Sequence, residues 1–352
     1  MYVPIMKTRQ EELRVSKKIN HCFSDEIIPL FEVVKEIYGE NGKIKKIKGK
    51  ITKEDIITLD YINNTIKKSK AFIDYFRFDS EKYGGNKIDI SKIELAYKLS
   101  RSESEYIEKL NSISSYDNLI PVISIKEKFT FNKSKLIEIV NMLQDKSTSI
   151  AIRIEDSLFE SLKDVIEKHL RESDFLLYDI NEQNIESKVI ELLELNECDV
   201  KSKKILLNSP RKLNINNKQY ENGIATELID NSVATSYEEY NFDGFGDFGG
   251  LKDQLPTSGG NGKGAALALI YNKEENLFYS FCNSDTSLGT RGYVQVISDI
   301  LDLEYMFNPQ QNCPFYQEVN KMFEKDSTGN FGKWNNLTLT RYIHQTYISI
   351  KE

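Results

Sequence analysis

Cysteine, histidine and tryptophan are scarce in this chain: 4, 3 and 1 among 352 residues. Cys22, Cys198, Cys282 and Cys313 form no CxxC pair, which argues against a zinc site or a disulfide framework and leaves buried free thiols. His21, His169 and His344 are equally scattered. A metal site would therefore have to rest on carboxylates, a donor set for magnesium or calcium rather than zinc. The sequence assigns no cofactor, and magnesium is the ion these residues would admit. Long apolar runs are also missing. None approaches the roughly 20 residues that span a bilayer. The first six residues meet Lys7 and Arg9 before reaching the length of a signal sequence. The reading is no membrane and a cytoplasmic location. Excess positive charge is absent too: 47 Lys and Arg stand against 54 Asp and Glu, a net charge of −7, which disfavours general nucleic-acid binding. The local exception is the run 43–53, with Lys43, Lys45, Lys46, Lys48, Lys50 and Lys53 alternating with isoleucines. It reads as a solvated strand or loop, with a phosphate-contacting loop as the alternative.

What is present is a repeat. Short apolar runs at 2–6, 27–31, 71–76, 119–123, 150–152, 175–178 and 205–207 end at Lys7, Glu32, Arg77, Ser124, Arg153, Asp179 and Asn208. Helical patterns lie between them; in one, Asn132 precedes Leu136, Ile139, Val140 and Leu143 at helical spacing. Residues 91–113 read as one helix. Pro4 and Pro29 fall inside the first two runs, and proline in a sheet places them at strand starts. After 205–207 the regularity breaks. A polar loop and a short helix near 223–231 are expected, and then YNFDGFGDFGGL at 240–251 reads as an eighth strand with Asp247 at its end. SGGNGKG at 258–264 lacks the GxxxxGK[ST] pattern and precedes a strand rather than a helix, so it reads as a mobile loop. Residues 265–271 and 277–282 form a hairpin, and 292–350 reads as helices split by Pro309, Pro314 and Gly329.

Strands alternating with helices predict a TIM-type (β/α)8-like α/β barrel with a C-terminal β-hairpin and helical elaboration. The expected division is 1–251 for the barrel and 252–352 for the elaboration. An open doubly wound sheet is the alternative, because strand order is not written in one sequence.

In a parallel barrel the C-terminal strand ends share one mouth. The charged set there is Lys7, Arg9, Glu32, Asp74, Arg77, Arg153, Asp179, Arg211, Asp243 and Asp247. Lys7 and the guanidiniums of Arg9, Arg77, Arg153 and Arg211 match phosphate or carboxylate oxygens. Glu32, Asp179 and Asp247 are the candidate catalytic carboxylates, able to act as acid and base if their environments separate them. Period-two alternation sends Asp74 and Arg77 to opposite faces. Aromatics at Tyr237, Tyr240, Phe242, Phe245 and Phe248 read as core.

Three segments carry a family resemblance. The opening YVPIMKTRQEEL with the later IIPLFEV, FGDFGGL at 245–251, and TGNFGKWNNLTLTRYIHQ at 328–345 occur in the order seen in the Beta protein family, named after a gene of a phage satellite. The chain resembles that family from near residue 1 to about 346. One departure lies at the end, where the family tends to show paired histidines and this chain has His344 followed by Gln345. The resemblance implies a bacterial or prophage protein of mobile elements, associated with defence against phages, and supplies no reaction. By position it points to Lys7, Arg9, Glu32, Asp247, Gly329, Asn330, Trp334 and His344. The last three come from the resemblance alone and imply a late segment folded toward the mouth.

Three functions remain open at this level. The first is a defence-associated barrel that binds or processes a phosphorylated or nucleotide-like small molecule. The second is a non-catalytic subunit whose hairpin or following helices bind a defence partner protein. The third, nucleic-acid contact through 43–53, is the least supported.

Overall fold

Eight parallel strands close on themselves: β1 (Tyr2–Lys7), β2 (Leu30–Val33), β3 (Ala71–Tyr75), β4 (Leu119–Ile125), β5 (Ala151–Glu155), β6 (Phe175–Asp179), β7 (Lys203–Leu207) and β8 (Gly244–Asp247). Each pairs with its neighbour in the chain, and β8 closes the ring against β1, with Tyr2 opposite Phe245. The architecture is the α/β barrel expected from the strand–helix repeat, and the closure excludes the open sheet. The structure, a computed structural model, describes residues 1–41, 43–45, 51–67, 69–84, 88–257, 264–303 and 313–352. Lys46, Lys48 and Lys50, nearly all of the 258–264 loop, and Pro309 lie outside the described residues.

Alternation decides what fills the barrel. Phe72 of β3 meets Phe175 of β6 edge-on at 4.9 Å although the two strands are not neighbours, so both rings occupy the interior. Counting by two along each strand carries that interior face upward to Asp74 and Asp179 at the C-terminal end. The opposite face of each strand meets the helices.

Four local expectations change. The helix drawn over 91–113 is two, Glu94–Leu99 and Glu103–Ile113. Ser102 accepts a hydrogen bond from the Glu105 N–H and so starts the second one as its cap. The second strand begins at Leu30, just after Pro29. Pro4, expected at a strand start, is the third residue of β1. Tyr2 bonds to Glu26 and Ile28. Two residues on, Pro4 faces that same side, in the gap between the Tyr2–Ile27 bridge and the ladder that starts at Ile5–Leu30, where its missing N–H leaves the pairing interrupted. The short helix at 223–231 is instead a strand, Ile224–Ala225, because the hairpin edge takes its flanking amides: Gly223 N–H to Ser280 O (2.7 Å) and Thr226 N–H to Phe278 O (2.8 Å).

The hairpin strands are β9 (Ala266–Asn272) and β10 (Leu277–Asn283). Leu267, Leu269, Tyr271 and Phe278 join the barrel's core. Ala268, Ile270 and Phe281 face a second core, built with the helices Tyr293–Asp302 and Pro314–Glu324 and with Trp334. The C-terminal helix, Phe331–Lys351, packs on β9 and on the first barrel helix, Gln10–Lys18. It covers the exposed edge of β9. Arg341 Nε donates to Tyr271 O (2.7 Å) and Thr338 Oγ1 to Leu269 O (3.1 Å), while Tyr293 OH donates to Leu267 O (3.4 Å). Edge carbonyls that bond to side chains do not invite another strand.

The turn after β8 allows this packing. Gly250 has φ +80°, and a Cβ there would stand 2.6 Å from Phe278 Cε1. Gly250→Ala is expected to destabilise the protein by roughly 1–3 kcal/mol, from overpacking together with left-handed backbone strain. Urea unfolding measures it, and a loss under a few tenths of a kcal/mol would contradict the packing described. No helix of the described residues is long and apolar enough to cross a membrane.

Candidate functional site

Register assembles the mouth. Lys7 sits opposite Glu32, and Glu32 opposite Asp74, so three charges share one level on β1, β2 and β3. Arg153 of β5 reaches across to them. Its Nη1 donates to Glu32 Oε1 (2.7 Å) and Asp74 Oδ2 (3.0 Å), and its Nε to Asp179 Oδ2 (2.9 Å). Lys7 Nζ donates to Glu32 Oε2 (2.6 Å) and Asp253 Oδ1 (2.5 Å). Tyr83 OH donates to Asp253 Oδ2 (2.7 Å), and Lys82 Nζ lies 3.4 Å from that oxygen. Lys7, Glu32, Asp74, Arg153, Asp179 and Asp253 are all buried. Charges removed from water are tolerated only with such mutual bonding.

The electrostatics follow from the contacts. Burial pushes the Glu32 carboxyl upward, but Lys7 and Arg153 outweigh it and hold the group below the usual carboxylate range. Asp253 is likewise pushed up by burial and pulled further down by Lys7, Lys82 and Lys126. Burial opposes the Arg153 charge, yet Asp179, Glu32 and Asp74 overcome it and keep the guanidinium firmly protonated. Glu32 is thus a fixed anion rather than a proton donor.

Above this layer opens a cavity of about 700 Å³, lined among others by Lys82, Tyr83, Lys126, Glu155, Asn181 and Lys188. Most of its lysines are engaged. Lys188 pairs with Asp156 (2.6 Å), Lys128 with Glu81 (2.7 Å) and Lys82 with Asp253. Lys126 has no carboxylate within ion-pair distance among the described residues; its Nζ stands 4.6 Å from the centroid of the Phe76 ring. Below it, Asp74 Oδ1 is buried without a hydrogen-bond partner.

Of the residues singled out in the sequence, the mouth brings together Lys7, Glu32, Asp74, Arg153 and Asp179. The others lie elsewhere. Arg77 borders the cavity, but its guanidinium donates to Ser124 O and Phe129 O and stacks on Tyr106 (4.1 Å), on the outer face from Asp74. Arg9 pairs with Glu12 and donates to Gln254 O (3.1 Å). Arg211 is buried under the hairpin and bonds to Asn217 Oδ1 (3.0 Å). Asp247 points outward, where it accepts from Tyr2 OH (3.1 Å), Tyr342 OH (2.8 Å) and Gly249 N–H (2.7 Å). Asn330 caps the C-terminal helix through the Lys333 N–H (2.9 Å). Trp334 stacks on Tyr293 at 4.8 Å and donates to Thr328 O. His344 sits in the same helix with Nδ1 buried and unbonded, and burial lowers its basicity. The late segment therefore braces the barrel's flank. What enters the mouth from beyond the barrel is Asp253.

Asp253, Lys82, Tyr83 and Lys126 escape sequence reasoning because they lie past the strand ends, Lys82 and Tyr83 in the one-turn helix Ser80–Tyr83 and the other two in loops, where no periodicity marks a direction. Asp247 is legible in part: Phe248 faces inward, with Lys7 Nζ 4.6 Å from its ring, so the preceding residue faces out.

Magnesium, which the carboxylate count admits, does not fit the arrangement. No group of three or more His, Cys, Asp or Glu among the described residues is disposed to hold a metal ion, and the clustered carboxylates are already matched by Lys7 and Arg153.

No curated protein matches this chain. The family model described as Beta protein matches residues 2–347, nearly the whole length. The order of motifs along the chain points the same way, and on this match the chain belongs to the Beta protein family.

Proposed function

We propose that the barrel mouth binds an anionic small molecule, a phosphorylated or nucleotide-like compound, and that this site serves the defence role implied by the family resemblance. The observation that carries the reading is Lys126. It lines a cavity of about 700 Å³ with no carboxylate within ion-pair distance among the described residues. A partly buried cation without a counter-ion favours an incoming anion. Lys82 stands beside it at the rim, and the Glu32–Arg153–Asp179 network below is a rigid floor. The partner-protein reading is weaker, because the outer edge of β9 is covered by Thr338 and Arg341.

Inorganic phosphate is the probe. It is expected to raise the melting temperature of the protein at constant ionic strength, and Lys126→Met is expected to weaken its binding by about ten-fold, the loss of one charge-assisted contact. Equal binding by the wild type and a folded Lys126→Met variant would remove the basis of the proposal. In cells, the same variant is expected to lose protection against phage challenge.

A further inference from the structure

Lys126 is the first residue beyond β4, and its carbonyl accepts the Phe129 N–H at 2.7 Å in a tight turn that fixes its backbone at the rim. Its side chain lies over Phe76, whose ring also lies 5.5 Å from Lys7 Nζ. Arg153 and Lys82 are the neighbouring cations, and the carboxylates nearest in charge, Glu32 and Asp74, are already bonded to Arg153. This is the environment that turns a lysine from a charge into a nucleophile: an apolar ring beneath the amine, cations beside it, and no counter-ion. Burial first, then Arg153 and Lys82, lower the amine's proton affinity, against the pull of Glu32 and Asp74. An ordinary lysine at neutral pH is unprotonated in only about one molecule in a few thousand, so even a modest lowering changes reactivity.

We infer that Lys126 is a reactive amine that forms an imine with the carbonyl group of a phosphorylated aldehyde or ketone held in the mouth cavity. The inference rests on the anion-binding reading above: the protonated amine draws the anion into the cavity, and the neutral fraction of the same amine attacks the carbonyl. The lone pair of the neutral amine attacks the carbonyl carbon, and the carbonyl oxygen takes up a proton to give a carbinolamine. Loss of that oxygen as water, with both hydrogens of the neutral amine accounted for in it, leaves a C=N bond. Nothing is oxidised or reduced. Glu155 lines the same cavity and accepts the N–H of Glu127, the residue after Lys126, at 2.8 Å, and it is the carboxylate assigned to ferry the proton. Tyr83 keeps its proton, since burial and then Asp253 push its pKa well up. An imine withdraws electrons from the adjacent carbon, so the reaction class open to this site is cleavage or proton abstraction next to the carbonyl.

The test traps the imine on the full-length protein with glyceraldehyde 3-phosphate and sodium cyanoborohydride near pH 7, in parallel with unphosphorylated glyceraldehyde, and locates adducts by peptide mapping. The expected result is a first adduct on Lys126, formed about ten-fold faster than on rim lysines such as Lys128 and Lys188, and absent in Lys126→Met. Adducts spread over the surface lysines with Lys126 not ahead would overturn the inference, and the peptide map of the native protein decides between these outcomes whether or not the variant folds. If phosphate raises the melting temperature while Lys126 stays unlabelled, the imine is excluded and the anion site stands. If glyceraldehyde labels Lys126 as fast as its phosphate ester and free phosphate gives no protection, the imine stands and the anion site falls.

Discussion

Arg153→Met is expected to destabilise the barrel by roughly 3–5 kcal/mol, the cost of stripping the partner from buried charges. The guanidinium holds Glu32, Asp74 and Asp179 from three different strands. Without it Asp74 keeps only Ser124 Oγ, at 3.1 Å, and its other oxygen has no partner already. Methionine fills similar volume, so the loss reports charge rather than a cavity. The sign with pH follows. Carboxylates left buried and unpaired have their folded-state pKa raised above the unfolded value, so the variant's stability falls as pH rises. The deficit is therefore largest near pH 8 and shrinks toward pH 5. Urea unfolding followed by circular dichroism at both pH values measures it. A deficit below about 1 kcal/mol, or one that grows on acidification, would mean that the floor of the mouth is not held by this residue.

Asp247→Asn has the opposite expectation: a gain in stability at neutral pH. Burial raises the Asp247 carboxyl from its ordinary 3.8 to about 6, against the pull of its bonds from Gly249, Tyr342 and Tyr2. A carboxyl whose folded pKa is raised contributes best when protonated. Its stabilisation is present below the unfolded value and lost as pH rises through about 6. That range corresponds to about 3 kcal/mol. The hydrogen bonds make the same point by counting protons. Tyr342 OH has one hydrogen and faces two acceptors, Asp247 Oδ2 (2.8 Å) and Asn231 Oδ1 (3.0 Å). Asn231 is oriented by its own donation to Asn276. A protonated Asp247 donates to the Tyr342 oxygen and frees that hydrogen for Asn231. The amide of asparagine mimics this state at every pH, so a gain of about 1–2 kcal/mol at pH 8 is expected after allowing for one unpaired amide hydrogen. The slope of stability between pH 4 and 6 should flatten as well. A loss of stability at pH 8 would show instead that Asp247 is needed as an anion.

The two carboxylates, Glu32 and Asp247, separate what is readable from what is not. Both end apolar runs, both are buried, and both stand out as strand-end charges. Their environments differ because one side chain faces the lumen and meets Lys7 and Arg153, and the other faces the tyrosines of β1 and the C-terminal helix. Alternation along β8 carries part of that information, but the zero of the count is set by the fold. The mouth's loop residues carry no signal at all. Lys126 and Asp253 look like any exposed charge in a hydrophilic stretch, and only closure of the ring brings loops after different strands to one opening.

The sequence by itself determined the strand–helix alternation, hence the α/β barrel, and the hairpin that follows it, because these depend on periodicity and turn chemistry among near neighbours. It also determined the family, through segments whose order survives in the chain. Tertiary structure alone decided which strand-end charges meet. It set Lys7, Glu32, Arg153 and Asp179 in one layer and sent Arg77, Arg211 and Asp247 to the barrel's outside. It also left Lys126 facing the cavity without a carboxylate partner among the described residues. The physical reason is that a charge's partner is fixed by register and ring closure between strands distant in sequence, whereas its place at a strand end is fixed by the few residues beside it.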